Sequence, residues 1–216
     1  MKRRCLLPVL LVTTLLIHCS KDKKDKPAEP YNGPLAVYTM NDELKDSTGN
    51  IPKTEYSKGI KAVADRKGNP KGAMYFDAGN MWANVNDWAA DSITITCWVK
   101  SDGLPGGKYF LSSDTGAFGL YDLNGTMGLA ISLPATNSAL ANFGPGWIHF
   151  AGTYDGINIR GYINGQLMKV KNHPGHPGHS QQITVGAMNG WTGAIDDLRF
   201  YNRTLSENEI AVLASN

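Results

Sequence analysis

Short segments rich in β-branched and aromatic residues recur along the chain, and glycine, proline, asparagine or aspartate separates them. Within residues 92–100, Ile93, Ile95, Cys97 and Val99 alternate with threonine, tryptophan and lysine, as a strand with two distinct faces requires. The pattern predicts an all-β fold, a two-sheet antiparallel β-sandwich of about ten strands. The predicted strands lie within residues 35–40, 73–76, 92–100, 109–113, 127–132, 147–154, 158–163, 182–186 and 193–201.

Turn signals and a helix cap indicate how these segments connect. Asp155–Gly156 and Asn164–Gly165 are typical of hairpin turns, so residues 147–170 are predicted to form a three-stranded meander. Ser206 followed by Glu209 is a capping-box pattern, which predicts one short C-terminal helix. The 24 glycines and 11 prolines among 216 residues, with only 19% charged residues, disfavour a helical bundle.

The N-terminal end has the composition of an export signal. A basic start and the apolar run 6–17, which is too short to span a bilayer as a helix, predict a signal peptide over residues 1–19. Residues 16–19 resemble the lipobox of bacterial lipoproteins, although His18 stands where that pattern usually has a small residue. The resemblance implies lipidation of Cys19, and with it a membrane anchor and localisation to the outer membrane or cell surface of a Gram-negative bacterium. An ordinary secretory signal that contains a cysteine is the alternative.

Residues 20–30 separate this signal from the folded part of the chain. They are rich in lysine, aspartate and proline and contain nothing to bury, which predicts a polar tether before a domain at residues 31–216. Cys97 is the only cysteine of that domain, so an intrachain disulfide is excluded there. The 21 Lys and Arg residues nearly balance the 19 Asp and Glu residues. This balance leaves no electrostatic footprint for nucleic acid.

Several motifs follow one another in the order seen in a known family of β-sandwich domains. They include Gly-Trp-Ile-His-Phe-Ala-Gly-Thr-Tyr-Asp-Gly at 146–156 and Gly-Ala-Ile-Asp-Asp-Leu-Arg-Phe-Tyr at 193–201. From about Leu35 to its end, the chain resembles the laminin G-like domains of the concanavalin A-like lectin and glucanase superfamily. The resemblance implies a two-sheet jelly roll and, since many of these domains bind carbohydrate, a glycan as partner. The remaining motifs lie at 35–40, 44–50, 73–77, 92–99 and 162–166.

A structural calcium is predicted where the first and last strands meet. Asp46 places a carboxylate ahead of Gly49, whose carbonyl oxygen suits a hard cation, although these residues alone favour a simple Asx turn. The family resemblance implies that Asp196 completes the site, and Asn41 is a further candidate ligand. Counted along its strand, Asp196 shares a face with Leu198 and is expected to point inward. The alternative is a carboxylate that only accepts backbone amides.

Aromatic side chains that can stack on a sugar ring concentrate in an asparagine-rich segment. Trp82 and Trp88 lie in this segment, and Asn84 between them offers an amide to sugar hydroxyls. Tyr109 and Tyr121 are further candidates for the ligand-binding surface. Packing over the edge of the sandwich is an equal alternative for these residues. Three other tryptophans lie on or beside predicted strands, where packing is expected: Trp98, Trp147 and Trp191.

The histidines are predicted to have no catalytic role. His173, His176 and His179 recur at intervals of three, and three imidazoles can bind zinc or copper. The Pro-Gly pairs between them favour a flexible loop instead. His149 lies inside a predicted strand and is expected to be structural.

Sequence signals of catalysis are missing. The Glu-x-Asp-x-x-Glu strand of the related laminarinase-type hydrolases, a Gly-x-Ser-x-Gly elbow and a phosphate-binding loop do not occur. The sequence therefore favours a secreted or surface-anchored, non-catalytic module that binds carbohydrate and holds calcium. A protein-adhesion module is one alternative. A small glycoside hydrolase that uses a pair of aspartates is another.

Overall fold

The computed structural model describes residues 33–89, 91–103, 107–131, 138–142, 145–186 and 190–216. The predicted signal peptide with Cys19 and the predicted tether lie outside these residues, and Gly33–Asn216 form one compact unit. In chain order the described elements are β1 (Ala36–Tyr38), β2 (Thr54–Tyr56), β3 (Ile60–Val63), β4 (Ala73–Asp77), β5 (Asn80–Ala89), β6 (Ile93–Ser101), β7 (Gly107–Ser113), β8 (Phe118–Leu123), β9 (Thr126–Ile131), β10 (Ser138–Asn142), β11 (Ile148–Tyr154), β12 (Asn158–Ile163), β13 (Gln166–Asn172), β14 (His179–Gly186), β15 (Thr192–Tyr201) and α1 (Glu207–Ser215).

Two antiparallel sheets form the predicted sandwich. The first is eight-stranded and has the order β13-β12-β11-β6-β15-β4-β3, with β1 also paired to β15. The second is seven-stranded and has the order β10-β9-β8-β7-β14-β5-β2. Strands β2 and β3, which residues 57–59 connect, are therefore terminal strands of different sheets and lie together at one edge of the sandwich.

The alternation in β6 is confirmed. Ile93, Ile95, Cys97 and Val99 are buried and pack in one apolar core with residues of the second sheet, such as Leu129. Burial raises the pKa of the Cys97 thiol, which keeps it protonated and agrees with a packing role.

The predicted hairpins and helix are also present. Strands β11, β12 and β13 form an antiparallel meander. Asn164 and Gly165 have φ angles of 49° and 81° in the turn between β12 and β13. Before α1, the Ser206 hydroxyl accepts the Glu209 amide at 3.3 Å, and Glu209 Oε2 accepts the Ser206 amide at 2.8 Å. Ile210 of α1 packs in a second apolar cluster. None of the helices in the described ranges is long and apolar enough to cross a membrane.

A β-bulge in β15 corrects the predicted direction of Asp196. Ile195 belongs to the core, so its neighbour Asp196 faces the opposite side of the sheet. The register then shifts, Asp197 adopts a φ of 48°, and Leu198 faces the core again. Asp196 is therefore buried on the outer face of the first sheet, not inside the sandwich, because the extra residue breaks the alternation on which the prediction relied.

Candidate functional site

Asp46 is the centre of a hydrogen-bonded turn. Its Oδ1 accepts the amides of Val37 at 2.8 Å and Thr48 at 3.0 Å, and its Oδ2 accepts the Ile51 amide at 2.9 Å and the Thr48 hydroxyl at 2.7 Å. Burial would raise the pKa of Asp46, but these hydrogen bonds outweigh burial and lower it. A carboxylate has about four lone-pair positions, and these four donors fill them. Asp46 can therefore bind a cation only by giving up some of these bonds.

Asp196 is paired with an arginine, Arg66, that was not predicted from the sequence as a site residue. Arg66, in the connection between β3 and β4, places Nη1 on Asp196 Oδ2 and Nη2 at 3.0 Å from Asp197 Oδ2. Its guanidinium also lies 4.5 Å from the centre of the Trp98 ring. Burial raises the pKa of Asp196 to about 7, Asp197 adds to the rise, and Arg66 opposes it.

These contacts involve two of the four predicted calcium ligands. Asn41 and Gly49 are exposed, and the carboxylates of Asp46 and Asp196 are engaged as just described. No group of three or more His, Cys, Asp or Glu that could hold a metal occurs in the described ranges. Calcium binding remains a prediction from the family resemblance, and at Asp46 and Asp196 a cation would have to replace contacts that the two carboxylates already make.

The structure separates Trp88 from the other predicted sugar-binding residues. Trp88 is only 7% exposed, and its ring packs against Phe118 with centroids 5.1 Å apart. This core position does not agree with the predicted role of an exposed sugar platform. Trp82 and Asn84 lie on the opposite face of β5, because Ala83 between them faces the core.

Tyr109 and Tyr121 face the same outer side of the second sheet as Trp82. They are directly paired across β7 and β8, and their ring centroids lie 5.7 Å apart. Tyr121 is buried, and burial raises the pKa of Tyr109. The two rings therefore pack mainly on each other, and they offer a ligand less ring area than the sequence analysis expected.

In the histidine-rich segment, His173 and His176 lie in the loop between β13 and β14, as predicted, whereas His179 is the first residue of β14. The Tyr154 hydroxyl contacts the carbonyl oxygens of His173 and Gly175, both at 2.9 Å, and His176 Nδ1 lies 3.1 Å from Asp91 Oδ1. His149 is buried, and burial lowers its pKa to about 4. Its Nδ1 has no hydrogen-bond partner among the described residues.

A cleft of about 360 Å³ opens at the edge of the sandwich where β2 and β3 meet. Its volume is within the range of about 300–1,000 Å³ that is typical of small-molecule sites. We call it the edge cleft, and its lining residues are Asp42, Glu43, Leu44, Tyr56, Ser57, Lys58, Ile60, Ala62 and Met74.

The floor of the edge cleft is apolar because β3 and β4 turn one face toward the core here. Ala62 is paired with Met74, and Ile60 precedes it on the same face of β3. Leu44 also packs against the core, from the loop that follows β1. The apolar face of a ligand ring can therefore pack on this floor, because the burial of apolar surface is favourable.

Tyr56 is the unusual residue of the edge cleft. It is directly paired with Met81, which is fully buried, so Tyr56 also belongs to the inner face of its sheet. It is nevertheless 65% exposed, since β2 is the last strand of the second sheet. An aromatic ring that faces inward and is left open to solvent is typical of a binding site rather than of a finished core.

The rim of the edge cleft carries charges of both signs. Lys71 Nζ donates to Asp42 Oδ2 at 2.7 Å. Glu43 and Lys58 have no ion-pair partner in the described part of the chain. Carboxylates and an ammonium can bind the hydroxyls of a sugar, whose C–H face packs on an aromatic ring. The arrangement therefore suits a ligand that is polar at its rim, apolar on one face and uncharged overall.

The edge cleft has no motif in the sequence that would predict it. Its residues come from separate segments between 42 and 74, and β2 has three residues, too few for a recognisable alternation. One signal was present: residues 54–56 and 60–63 both carry β-branched or aromatic residues, and Gly59, with a φ of 93°, lies between them.

Comparison with protein families gives the same assignment as the motifs. Residues 75–211 match a laminin G-type family described as the concanavalin A-like lectin/glucanases superfamily, and they make up more than half of the 216 residues. The chain belongs to this superfamily. The predicted family resemblance is thereby confirmed, and the two-sheet sandwich agrees with it.

Solved structures with the same fold include binding domains of botulinum neurotoxins. The neurotoxin DC domain in complex with SialylT has 15% identity and a TM-score of 0.69, and the one in complex with rat synaptotagmin II has 15% and 0.67. A neurotoxin type C structure, whose description says that cell entry depends on interaction with two ganglioside molecules, has 14% identity and a TM-score of 0.68. Each match covers 83% of this chain and 50% of the other chain, so this chain spans about half their length. A comparison with curated proteins finds no match.

Proposed function

We propose that this protein is a non-catalytic carbohydrate-binding module and that the edge cleft holds a neutral sugar. The observation that carries the proposal is Tyr56, an inward-facing aromatic residue that remains 65% exposed above an apolar floor. Superfamily membership supports a binding role, and neurotoxin domains of the same fold are described with SialylT and gangliosides. The opposite charges of Glu43 and Lys58 on the rim balance each other, which favours an uncharged ligand.

A glycan array followed by titration calorimetry tests the proposal. We expect binding of at least one neutral oligosaccharide. Tyr56→Ala should weaken it about tenfold through lost ring contact, whereas Tyr56→Phe, which keeps the ring, should remain within about threefold. Ile157→Ala removes another exposed apolar side chain and serves as the control. No neutral ligand, or equal affinity in Tyr56→Ala, would contradict the assignment of the cleft.

A hydrolase would need two carboxylates that face each other across the substrate. The edge cleft offers Asp42 and Glu43, and Asp42 is tied to Lys71. We therefore expect no release of reducing ends from any glycan that binds. Turnover that Glu43→Gln abolishes would favour the hydrolase instead.

The second candidate is protein adhesion, and β13 is the observation that favours it. This terminal strand of the first sheet exposes Leu167, Met168 and Val170, and an extended segment of a partner can add to such an edge. Silence on the glycan array together with a specific pull-down that Met168→Lys prevents would support this reading.

We also propose that Cys19 is acylated and that residues 20–30 tether the domain to the outer membrane or cell surface. The basis is the lipobox-like sequence and the polar composition that follows it. The wild-type chain should fractionate with membranes, and Cys19→Ser should release it. Equal fractionation of both would reject the anchor.

The calcium proposal has its own test. If calcium binds at Asp46, adding CaCl₂ after EDTA should raise the melting temperature of the wild type and leave that of Asp46→Asn unchanged. An unchanged melting temperature of the wild type would contradict calcium binding.

A further inference from the structure

A second cavity lies on the outer face of the first sheet, away from the edge cleft. It has a volume of about 280 Å³ and is lined by Val63, Ala64, Tyr75, Lys100, Asp102, Trp147 and Ala194. We call it the outer pocket. Neighbouring residues of a strand face opposite sides, so β3 and β4 present Ala62 and Met74 to the edge cleft and Val63 and Tyr75 to the outer pocket.

Strand register places two aromatic residues on either side of a lysine. Tyr75 is paired with Ala194, and Ala194 is paired with Lys100. Ile148 is paired with Val99, so Trp147, one residue earlier, lies beside Lys100. Trp147 and Tyr75 are thus three strand spacings apart, about 14 Å. The small side chain of Ala194 leaves room between them.

Tyr75 is held in place by one acidic and one basic side chain. Its hydroxyl donates to Asp102 Oδ2 at 2.7 Å, and Lys61 Nζ lies 4.9 Å from the centre of its ring. The hydrogen bond to Asp102 raises the pKa of Tyr75, so the hydroxyl stays a donor to this carboxylate. The ring is therefore a fixed wall of the pocket, and the Asp102 carboxylate is already in use.

Lys100 is the charged group of the outer pocket that is left without a partner in the described ranges. Lys100 is exposed and makes no ion pair or hydrogen bond through its side chain among the described residues. Lys61 also has no carboxylate partner there. Among the described lining residues, Asp102 is the only acidic one; it keeps its negative charge, but the Tyr75 hydroxyl already donates to one of its oxygens. A free ammonium between two aromatic walls favours a ligand with a flat apolar face and a single negative group.

We propose that the outer pocket binds a glycan that carries a carboxylated sugar, with the sugar rings against Trp147 and Tyr75 and the carboxylate on Lys100. Trp147 is half-buried at this pocket, which fits a wall better than the simple packing role expected from its strand. This site differs from the edge cleft in its residues, its face of the sandwich and the charge of its ligand. It does not depend on the neutral-sugar proposal.

Titration of the full chain with trigalacturonate, and with maltotriose as the neutral counterpart, tests the outer pocket. We expect trigalacturonate to bind more tightly than maltotriose does at this pocket, and its affinity to fall with added salt. Lys100→Met and Trp147→Ala should each weaken trigalacturonate binding about tenfold, whereas Lys100→Arg should keep most of it. Lys169→Met removes another exposed lysine and should change nothing.

The outcomes separate this site from the edge cleft. Tyr56→Ala should leave trigalacturonate binding unchanged, so a loss there would assign the anionic sugar to the edge cleft and overturn the proposal. Equal binding of trigalacturonate by the wild type and Lys100→Met would overturn it as well, and so would absence of binding in the wild type. Thermal melting checks that each variant is folded; Lys100 is exposed, so its replacement leaves the core intact.

Discussion

Arg66 joins three side chains on the outer face of the first sheet. It pairs with Asp196 and Asp197 and covers the ring of Trp98. Because Asp196 is only 3% exposed, its charge depends on this partner. Arg66 therefore fixes the connection between β3 and β4, the two strands that line both the edge cleft and the outer pocket.

Arg66→Met is expected to lower the free energy of unfolding by about 3 kcal/mol above pH 7, because it leaves a buried carboxylate without its partner. Methionine keeps an apolar stem over Trp98, so the loss reports mainly on charge. The loss should be smaller at pH 5: the pKa of Asp196 is raised to about 7 beside Arg66 and rises further without it, so the carboxyl is then protonated and carries no unpaired charge. Urea unfolding at the two pH values measures both effects.

The control for this prediction is Arg160→Met. Arg160 pairs with Asp155 at 2.6 Å, but both side chains are more than a quarter exposed, so its loss should cost less than about 1 kcal/mol. Equal destabilisation by the two replacements would contradict a special role of Arg66.

Some strands could be predicted from the sequence and others could not. The alternation in β6 was sufficient because its inner face is uniformly apolar and no bulge interrupts it. In β15 the bulge falls on Asp197. No glycine at this position signals a bulge in the sequence, so the predicted direction of Asp196 was wrong. Five of the described strands are missing from the predicted set, because they are short or lack a clear alternation: β2, β3, β5, β8 and β10.

At the other end of the chain, the capping box of α1 is a local device that the sequence predicted fully. Ser206→Ala removes the hydroxyl that accepts the Glu209 amide and should lower the free energy of unfolding by about 1 kcal/mol. The loss should reach the whole domain, since α1 buries Ile210 in the cluster on the first sheet. Ser215→Ala, at the opposite end of the helix, is the matched control, and equal effects in urea unfolding would argue against the cap.

The whole molecule could be recognised from its sequence, whereas its candidate sites could not. Family motifs are spread along the chain, so their order predicted the sandwich even where single strands were missed. The edge cleft depends on which strands end each sheet, and the outer pocket depends on the register across four strands. Both are properties of the assembled sheets, and no single segment carries a motif for them.

The folded domain as a whole should lose stability in acid between about pH 4.5 and pH 2. Hydrogen bonds from Arg203 and the Ser206 amide lower the pKa of Glu209 to about 2. Burial would raise the pKa of Asp155, but Arg160 and nearby amides outweigh it and lower the value to about 2 as well. Since both values are lower in the folded chain than in the unfolded chain, the stabilisation is complete above the unfolded values and is lost as the pH falls toward 2.

Removing both carboxylates isolates this effect. The double replacement Asp155→Asn and Glu209→Gln should be less stable than the wild type at pH 7, by at most about 1 kcal/mol for each of these partly exposed ion pairs. Its urea midpoint should then fall less than that of the wild type between pH 4.5 and pH 2. Asp77→Asn, at a carboxylate without an ion pair in the described ranges, should follow the wild type. Parallel curves for the double variant and the wild type would show that acid stability depends on other groups.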